Sequence, residues 1–450
     1  MSAFYENRPN RASFDDAASE ATTHDGATST SKSAPFSSHF FEKSAEASAA
    51  RGVYLKTIVG GVVALSVVIF TVFSIYWGSV WSSPHHTLPG WIVDFDGGAV
   101  GQTVSQALSN IDPGKNVISW AVVSASQFPE GIAQLEDAIL QEKTWYAVAI
   151  NSGASTNLTT AVSAVDGSYN SSKAITFIAS EARNENIYRV HKTIATAQLD
   201  AITHQFALHF IADLPTATNA ATLLSSAPEL VARPIYYSVA NLRPFDVPVA
   251  SAVTFVGLIY LAILSFFVVM LAAAAREASG FEARLSLGSI IRLRLTTSAV
   301  AYFFIALIYT LLSRAFQLPF DRRFGSAGFV IFWMLNWLGM LACGLALEAM
   351  LTLLTQRFVP FFLMLWIISN VSTSVFLIPV LPHVYRYGYV FPFYNVSRAI
   401  RAIIFETKND LGLNFGVLIA WVALSCGTMA AFQWFVRRRA VEAGSKTAEV

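Results

Sequence analysis

Residues 246–275 read DVPVASAVTFVGLIYLAILSFFVVMLAAAA, and past Asp246 the run carries no charged side chain as far as Ala275. A hydrocarbon core of about 30 Å takes about 20 apolar residues of helix, so this run is long enough to span a membrane. Five further stretches meet or approach that length: 57–77, 295–312, 329–350, 358–381 and 413–436. Glu348 is the one acidic or basic residue inside any of them. The long polar segment 85–243 lies between the first and second runs. These runs predict an α-helical polytopic membrane protein of six spans, with an α/β extracytoplasmic domain between spans 1 and 2. The predicted units are a disordered cytoplasmic tail (1–50), a first transmembrane helix (57–81), the extracytoplasmic domain (85–243), a five-helix bundle (247–436) and a cytoplasmic tail (437–450).

Composition agrees with a lipid environment. Apolar residues make up 54% of the chain, charged residues 13%, and mean hydropathy is +0.49, whereas soluble domains carry charge at about 25%. A net charge of +1 with no run of like charge beyond Arg437-Arg438-Arg439 points away from nucleic acid. Both cysteines, Cys343 and Cys426, fall inside apolar runs, so the 85–243 segment must hold together by its own core. The first run starts too far from residue 1 and is too long for a cleaved signal peptide, and reads as a retained anchor.

Orientation follows from the flanks. Arg51, Lys56, Arg276, Arg284, Arg292, Arg294, Arg357 and Arg437 to Arg439 mark one side, ten basic residues against seven on the other. By the positive-inside rule the first side is cytoplasmic. Asn157-Leu158-Thr159 and Asn170-Ser171-Ser172 are glycosylation sequons in the polar segment, in keeping with a lumenal or external placement. A third match at Asn370 is set aside because it lies inside a predicted span.

Within the polar segment, β-rich runs at 91–96, 117–123, 146–150 and 174–179 alternate with helical spacing at Ile132, Leu135 and Ile139 and with a long helical stretch over 187–208. Such alternation predicts a small α/β sheet. Phosphate loops, nucleophile elbows and paired zinc histidines are absent from the sequence, and neither a catalytic residue nor a cofactor or metal is assigned. Asp94 and Asp96 could form a carboxylate pair, but their place beside Gly97-Gly98 reads as an exposed strand end. His85-His86 reads as interfacial exposure. His191, His204 and His209 share one predicted helix without ligand spacing.

The apolar half holds the candidate transport-path residues. Glu348 is ionisable inside a span, and such residues commonly serve transport or proton paths; snorkelling towards Arg357 is the plainer alternative. Asn336 and Asn370 would add polar surface to a shared cavity. Residues 392–405 set Val396, Ile400, Ile403 and Ile404 opposite Arg398 and Arg401, as an outer amphipathic helix or re-entrant hairpin would. The stretch 276–294, with Phe281, Leu285 and Ile290 among Arg284, Arg292 and Arg294, reads as lying on an anionic membrane surface or docking a partner ATPase.

The layout of one span, an outer α/β domain and five clustered spans is similar to permease subunits of ABC-type exporters and their phage-infection-protein relatives. Trp91-Ile92-Val93-Asp94-Phe95-Asp96-Gly97, Arg243-Pro244-Phe245-Asp246 with Val256-Gly257-Leu258-Ile259-Tyr260, and Gly412-Leu413-Asn414-Phe415-Gly416-Val417-Leu418 resemble the fungal nitrosoguanidine-resistance protein family. That resemblance implies a membrane-resident protein associated with resistance to toxic small molecules. Together with the span layout and the lack of catalytic motifs, it leads to the expectation of a plasma-membrane protein, not an enzyme, that exports or helps exclude toxic small molecules or lipids. An ATPase or another membrane partner would supply energy, and a homodimer is compatible. The alternative is a non-transporting scaffold or regulator whose outer domain binds a partner. A polar cavity lined by Glu348, Asn336 and Asn370 distinguishes the first from a bundle packed solid.

Overall fold

The computed structural model describes residues 39–81, 83–112, 114, 118–214 and 219–448, with 443–448 by backbone alone. Most of the expected disordered tail, 1–38, lies outside the described residues. Along the chain run α1 (Ala45–Val80), β1 (Leu88–Asp94), α2 (Ala99–Ser109), β2 (Ile118–Val123), α3 (Ile132–Leu140), β3 (Tyr146–Ile150), α4 (Ala154–Ala164), β4 (Ile175–Ala179), α5 (Glu185–Asp213) and β5 (Tyr237–Asn241). There follow α6 (Ala252–Ala278), α7 (Leu287–Ala315), α8 (Ala327–Val371), α9 (Pro392–Phe405) and α10 (Leu411–Glu442). The chain falls into two compact units, Met1–Ser66 and Val67–Val450, and α1 begins in one and ends in the other.

The strands form one mixed sheet in the order β2-β1-β3-β4-β5. β1 runs parallel to β2 and β3, β3 antiparallel to β4, and β4 parallel to β5. Strand periodicity sends alternate residues to opposite faces. Val148 and Ile150 therefore join Val104, Leu108, Leu158 and Leu199 in one core, while Ala147 and Ala149 join Phe128, Leu135 and Ile139 in another. All five residues of β3 and of β4 are buried, which accounts for their apolar sequence, Thr176 excepted, whose hydroxyl bonds Asn151.

Five described helices are long and apolar enough to cross a membrane: α1, α6, α7, α8 and α10. Six apolar runs become five helices because the runs at 329–350 and 358–381 share α8. That helix has 45 residues, about 68 Å of rise, more than twice the hydrocarbon thickness. Thr355 breaks it, at φ 61° and ψ 168°. Pro360 follows, removing an N–H and crowding the carbonyl four residues back, which weakens the helix on that side. The two arms then pack on each other: Leu347 and Leu351 cluster with Val359, and Phe332 with Val371. Past Val371 the expected fifth span is no longer α-helical.

Close packing of the bundle needs small residues. A Cβ on Gly344 would lie 2.2 Å from Tyr302 Oη, so only glycine lets α8 approach α7 there. Tyr302 is buried and donates to Ser265 O of α6 at 3.2 Å.

Two expectations are corrected here. Residues 392–405 are helical, but α9 is not an exposed surface helix: all but Tyr394 and Arg398 of its residues are buried. Its apolar face, Val396, Ile400, Ile403 and Ile404, packs in the bundle core. Its arginines reach the sheet side, where Arg401 Nη1 donates to Ala182 O and Glu185 Oε2, and Arg398 Nη2 to Glu142 Oε2. Amphipathicity matched two protein surfaces rather than lipid and water. Likewise 276–294 is not a surface loop throughout, because α7 starts at Leu287 under a Ser286 cap and buries Ile290 and Arg294.

Candidate functional site

Glu348 lies on α8 one turn past Gly344 and is 1% exposed. Its Oε1 accepts from Arg294 Nε at 2.6 Å and pairs with Arg276 Nη2 at 2.9 Å. Arg294 is 2% exposed and Arg276 6%. Arg294 also donates through Nη2 to Glu348 O at 2.7 Å and through Nη1 to Gln433 Oε1 at 2.5 Å. One cluster therefore ties α6, α7, α8 and α10 together. Its partners are the two arginines that bound the expected loop, not Arg357.

The cluster is unevenly matched. A single carboxylate oxygen serves two guanidinium groups, while Glu348 Oε2, also buried, has no hydrogen-bond partner among the described residues. Arg276 Nε finds a second carboxylate, Glu282 Oε2, at 3.3 Å, on a half-exposed side chain. Buried charges bring little net stability, but removing one partner strands the others.

Beside the cluster opens a cavity of about 390 Å³, lined by Arg276, Glu277, Glu282, Thr352, Gln356 and Gln433 among others. Thr355 also lines it, so the break in α8 is part of its wall. The size suits a small organic ligand.

The other candidate residues lie elsewhere. Asn336 is buried, donates to Phe332 O of its own helix at 2.8 Å, and leaves Oδ1 unpartnered among the described residues. The cavity beside it, about 10 Å³, holds one water at most. Twelve residues of helix, about 18 Å of rise, separate it from Glu348. Asn370 donates to Trp366 O at 2.9 Å, and its Oδ1 accepts from the Phe393 N–H at 3.1 Å. It thereby caps the buried start of α9, where Pro392 supplies the fixed first turn. Among the described residues, the cavity beside Asn336 is lined by neither Glu348 nor Asn370.

On the sheet, Asp96 is not a free strand end. Its carboxylate accepts from Ser155 N at 2.9 Å, Ser155 Oγ at 2.5 Å, Gly98 N at 3.2 Å and Gly101 N at 3.3 Å. The N-termini of α2 and α4 converge on it, a place that suits an anion. Burial works to raise this carboxyl, but the hydrogen bonds from Ser155, Gly101 and Gly98 outweigh it and hold it below the ordinary range. Asp94 Oδ1 accepts from Asp96 N and Gly97 N, and a Cβ on Gly101 would strike the Asp94 carboxylate at 2.2 Å.

His86 stacks on His383 at 4.8 Å and meets His85 at 4.9 Å, yet no group of three or more potential ligands that could hold a metal occurs among the described residues. His191 is buried against Tyr146, its Nδ1 3.1 Å from Ile187 O. Asn157, on α4, and Asn170, in a turn, are exposed.

Sequence reasoning missed Arg276, Arg294 and Gln433 as site residues. Arginines at the edge of an apolar run read as flanks, and nothing local tells a flank from a residue one turn inside.

Residues 61–427 match a family described as protein of unknown function, DUF3533. An uncharacterized endoplasmic reticulum membrane protein of Saccharomyces cerevisiae is 26% identical over 391 residues, covering 80% of this chain and 76% of that protein. No solved structure matches.

Proposed function

The chain belongs to the DUF3533 family, and from that premise we propose that it is a permease-like membrane protein that moves toxic small molecules or lipids, without bond-making chemistry of its own. The observation that carries this reading is the cavity of about 390 Å³ at the Thr355 end of the bundle. Arg276, Arg294 and Gln433 of the ion cluster joining four helices form part of its wall, while the opposite end is filled by α9. A site open at one end and packed at the other is what alternating access requires of one state. The likeness of three sequence stretches to the nitrosoguanidine-resistance family agrees with it.

In this reading the two arms of α8 count as two crossings, giving six. The Thr355 end, rich in arginine, faces the cytoplasm and the sheet faces the lumen or exterior. The relative's name places that protein in the endoplasmic reticulum membrane; for this chain we propose a membrane of the secretory route, plasma membrane included. Energy comes from a partner ATPase or a gradient.

The packed surroundings of Asn336 favour a second reading, a non-transporting scaffold, and one experiment separates the two. Purified protein is reconstituted in vesicles with fluorescent lipid or drug, beside Ala283→Trp, which plugs the cavity mouth from an exposed position. Transport by the parent that the variant loses supports the permease. Equal signals from both variants and empty vesicles would leave the scaffold. Glycosidase-sensitive mobility lost in Asn157→Gln/Asn170→Gln checks the orientation.

A further inference from the structure

At the opposite end from the large cavity, the sheet meets α9 around a small polar cavity of about 30 Å³. Four cations line it: Arg183, Arg398, Arg401 and Lys408. Three carboxylates pair with them: Glu142 with Arg183 and Arg398, Asp410 with Arg398 and Lys408, and Glu185 with Arg401. Four against three leaves one positive charge unmatched.

The donors are unmatched too. Arg183, its side chain 9% exposed, has a buried Nε with no hydrogen bond, Glu142 Oε1 standing 3.5 Å away. Ser397 and Thr407, both buried residues, also line the cavity and add hydroxyl groups to its wall. A buried donor left unmade is costly, and a cation in excess beside it favours an anionic acceptor. Water could accept from these donors but would leave the charge.

We propose that this cavity binds a compact monovalent inorganic anion of the halide class. A single negative charge balances the four cations and three carboxylates. It accepts from the Arg183 Nε–H and from the Ser397 and Thr407 hydroxyls at once. A space of about 30 Å³ holds one or two water-sized bodies, which admits chloride or bromide and shuts out a nucleotide or a drug. Because Ser397, Arg398 and Arg401 are on α9 and Arg183 is on the sheet side, the anion would clamp sheet and bundle together.

The test is thermal unfolding of the full chain in detergent micelles, with gluconate replaced stepwise by chloride at constant ionic strength. A ligand of the folded state raises Tm with concentration. Expected are a saturating rise, reproduced by bromide, and its loss in Ser397→Leu, which fills the cavity with an apolar side chain. Thr407→Val, a near-isosteric change that folds if the larger one does not, should move the chloride midpoint upward by roughly tenfold, the worth of one buried hydrogen bond to a charge. Indifference of the parent to chloride, or an undiminished rise in Ser397→Leu or an unmoved midpoint in Thr407→Val, would overturn the site. A larger rise with sulfate or phosphate than with chloride would overturn the monovalent class.

Discussion

The α9 end of the bundle and the Thr355 end both bury arginines, and they treat them differently. Around α9 three carboxylates serve four cations, Glu142 pairing with Arg183 and Arg398, Asp410 with Arg398 and Lys408, and Glu185 with Arg401, around about 30 Å³ of space. At Thr355 two arginines share one oxygen of Glu348 beside about 390 Å³. The polar segments there bring three carboxylates to four cations, whereas the apolar helices offer one buried acid to two. The first end is built to stay closed, the second to be held by few contacts.

Breaking the shared acid tests the comparison most severely. Glu348→Gln keeps the shape but leaves Arg294 buried without a counter-charge and Arg276 with only the half-exposed Glu282, a loss of about 3–5 kcal/mol. Tm and yield in detergent should fall steeply, and co-substitution of both arginines by methionine should restore much of the loss. A Gln variant as stable as the parent would place the cluster in water rather than protein. At the other end, Asn370→Ala should cost about 1–3 kcal/mol, because the Phe393 N–H at the buried start of α9 loses its acceptor. Denaturant unfolding reads this directly, and an unchanged midpoint would remove Asn370 as the cap.

A milder effect belongs to Asp96. Its folded carboxyl titrates below an unfolded value of about 3.9, so its stabilising contribution is complete above that value and is lost as pH falls through the lower folded one. Asp96→Asn should cost about 1 kcal/mol at neutral pH, in the range of a lost helix cap, and flatten the acid side of the stability curve. A curve parallel to the parent's would show that the groups around Asp96 do not depend on its charge. The smallest effect is expected at Arg322–Asp246, a bidentate but solvent-exposed pair. A double-mutant cycle there should return about 0–1 kcal/mol, falling with salt.

Much of the sheet was legible because its inner strands are largely apolar and bounded by turns, as at Tyr146–Ile150 and Ile175–Ala179. β5 was not, since Tyr-Ser-Val-Ala-Asn is a half-exposed edge whose pattern matches any loop. The helices α2 and α4 also passed unread, being short and rich in Ala, Ser and Thr, residues that commit to helix only when packed.

What the sequence determined by itself was burial in lipid: runs of apolar residues about as long as the bilayer core is thick, with one acid among them, permit little else. Tertiary structure alone decided which side chains meet. It folded α8 back at Thr355, laid α9 between sheet and bundle, and brought Arg276, Arg294 and Gln433 to Glu348 from three other helices. Hydrophobic patterning is local and additive along the chain, and so can be read from it. A buried ion cluster depends on the rotation and depth of four helices at once, and no window of sequence holds that information.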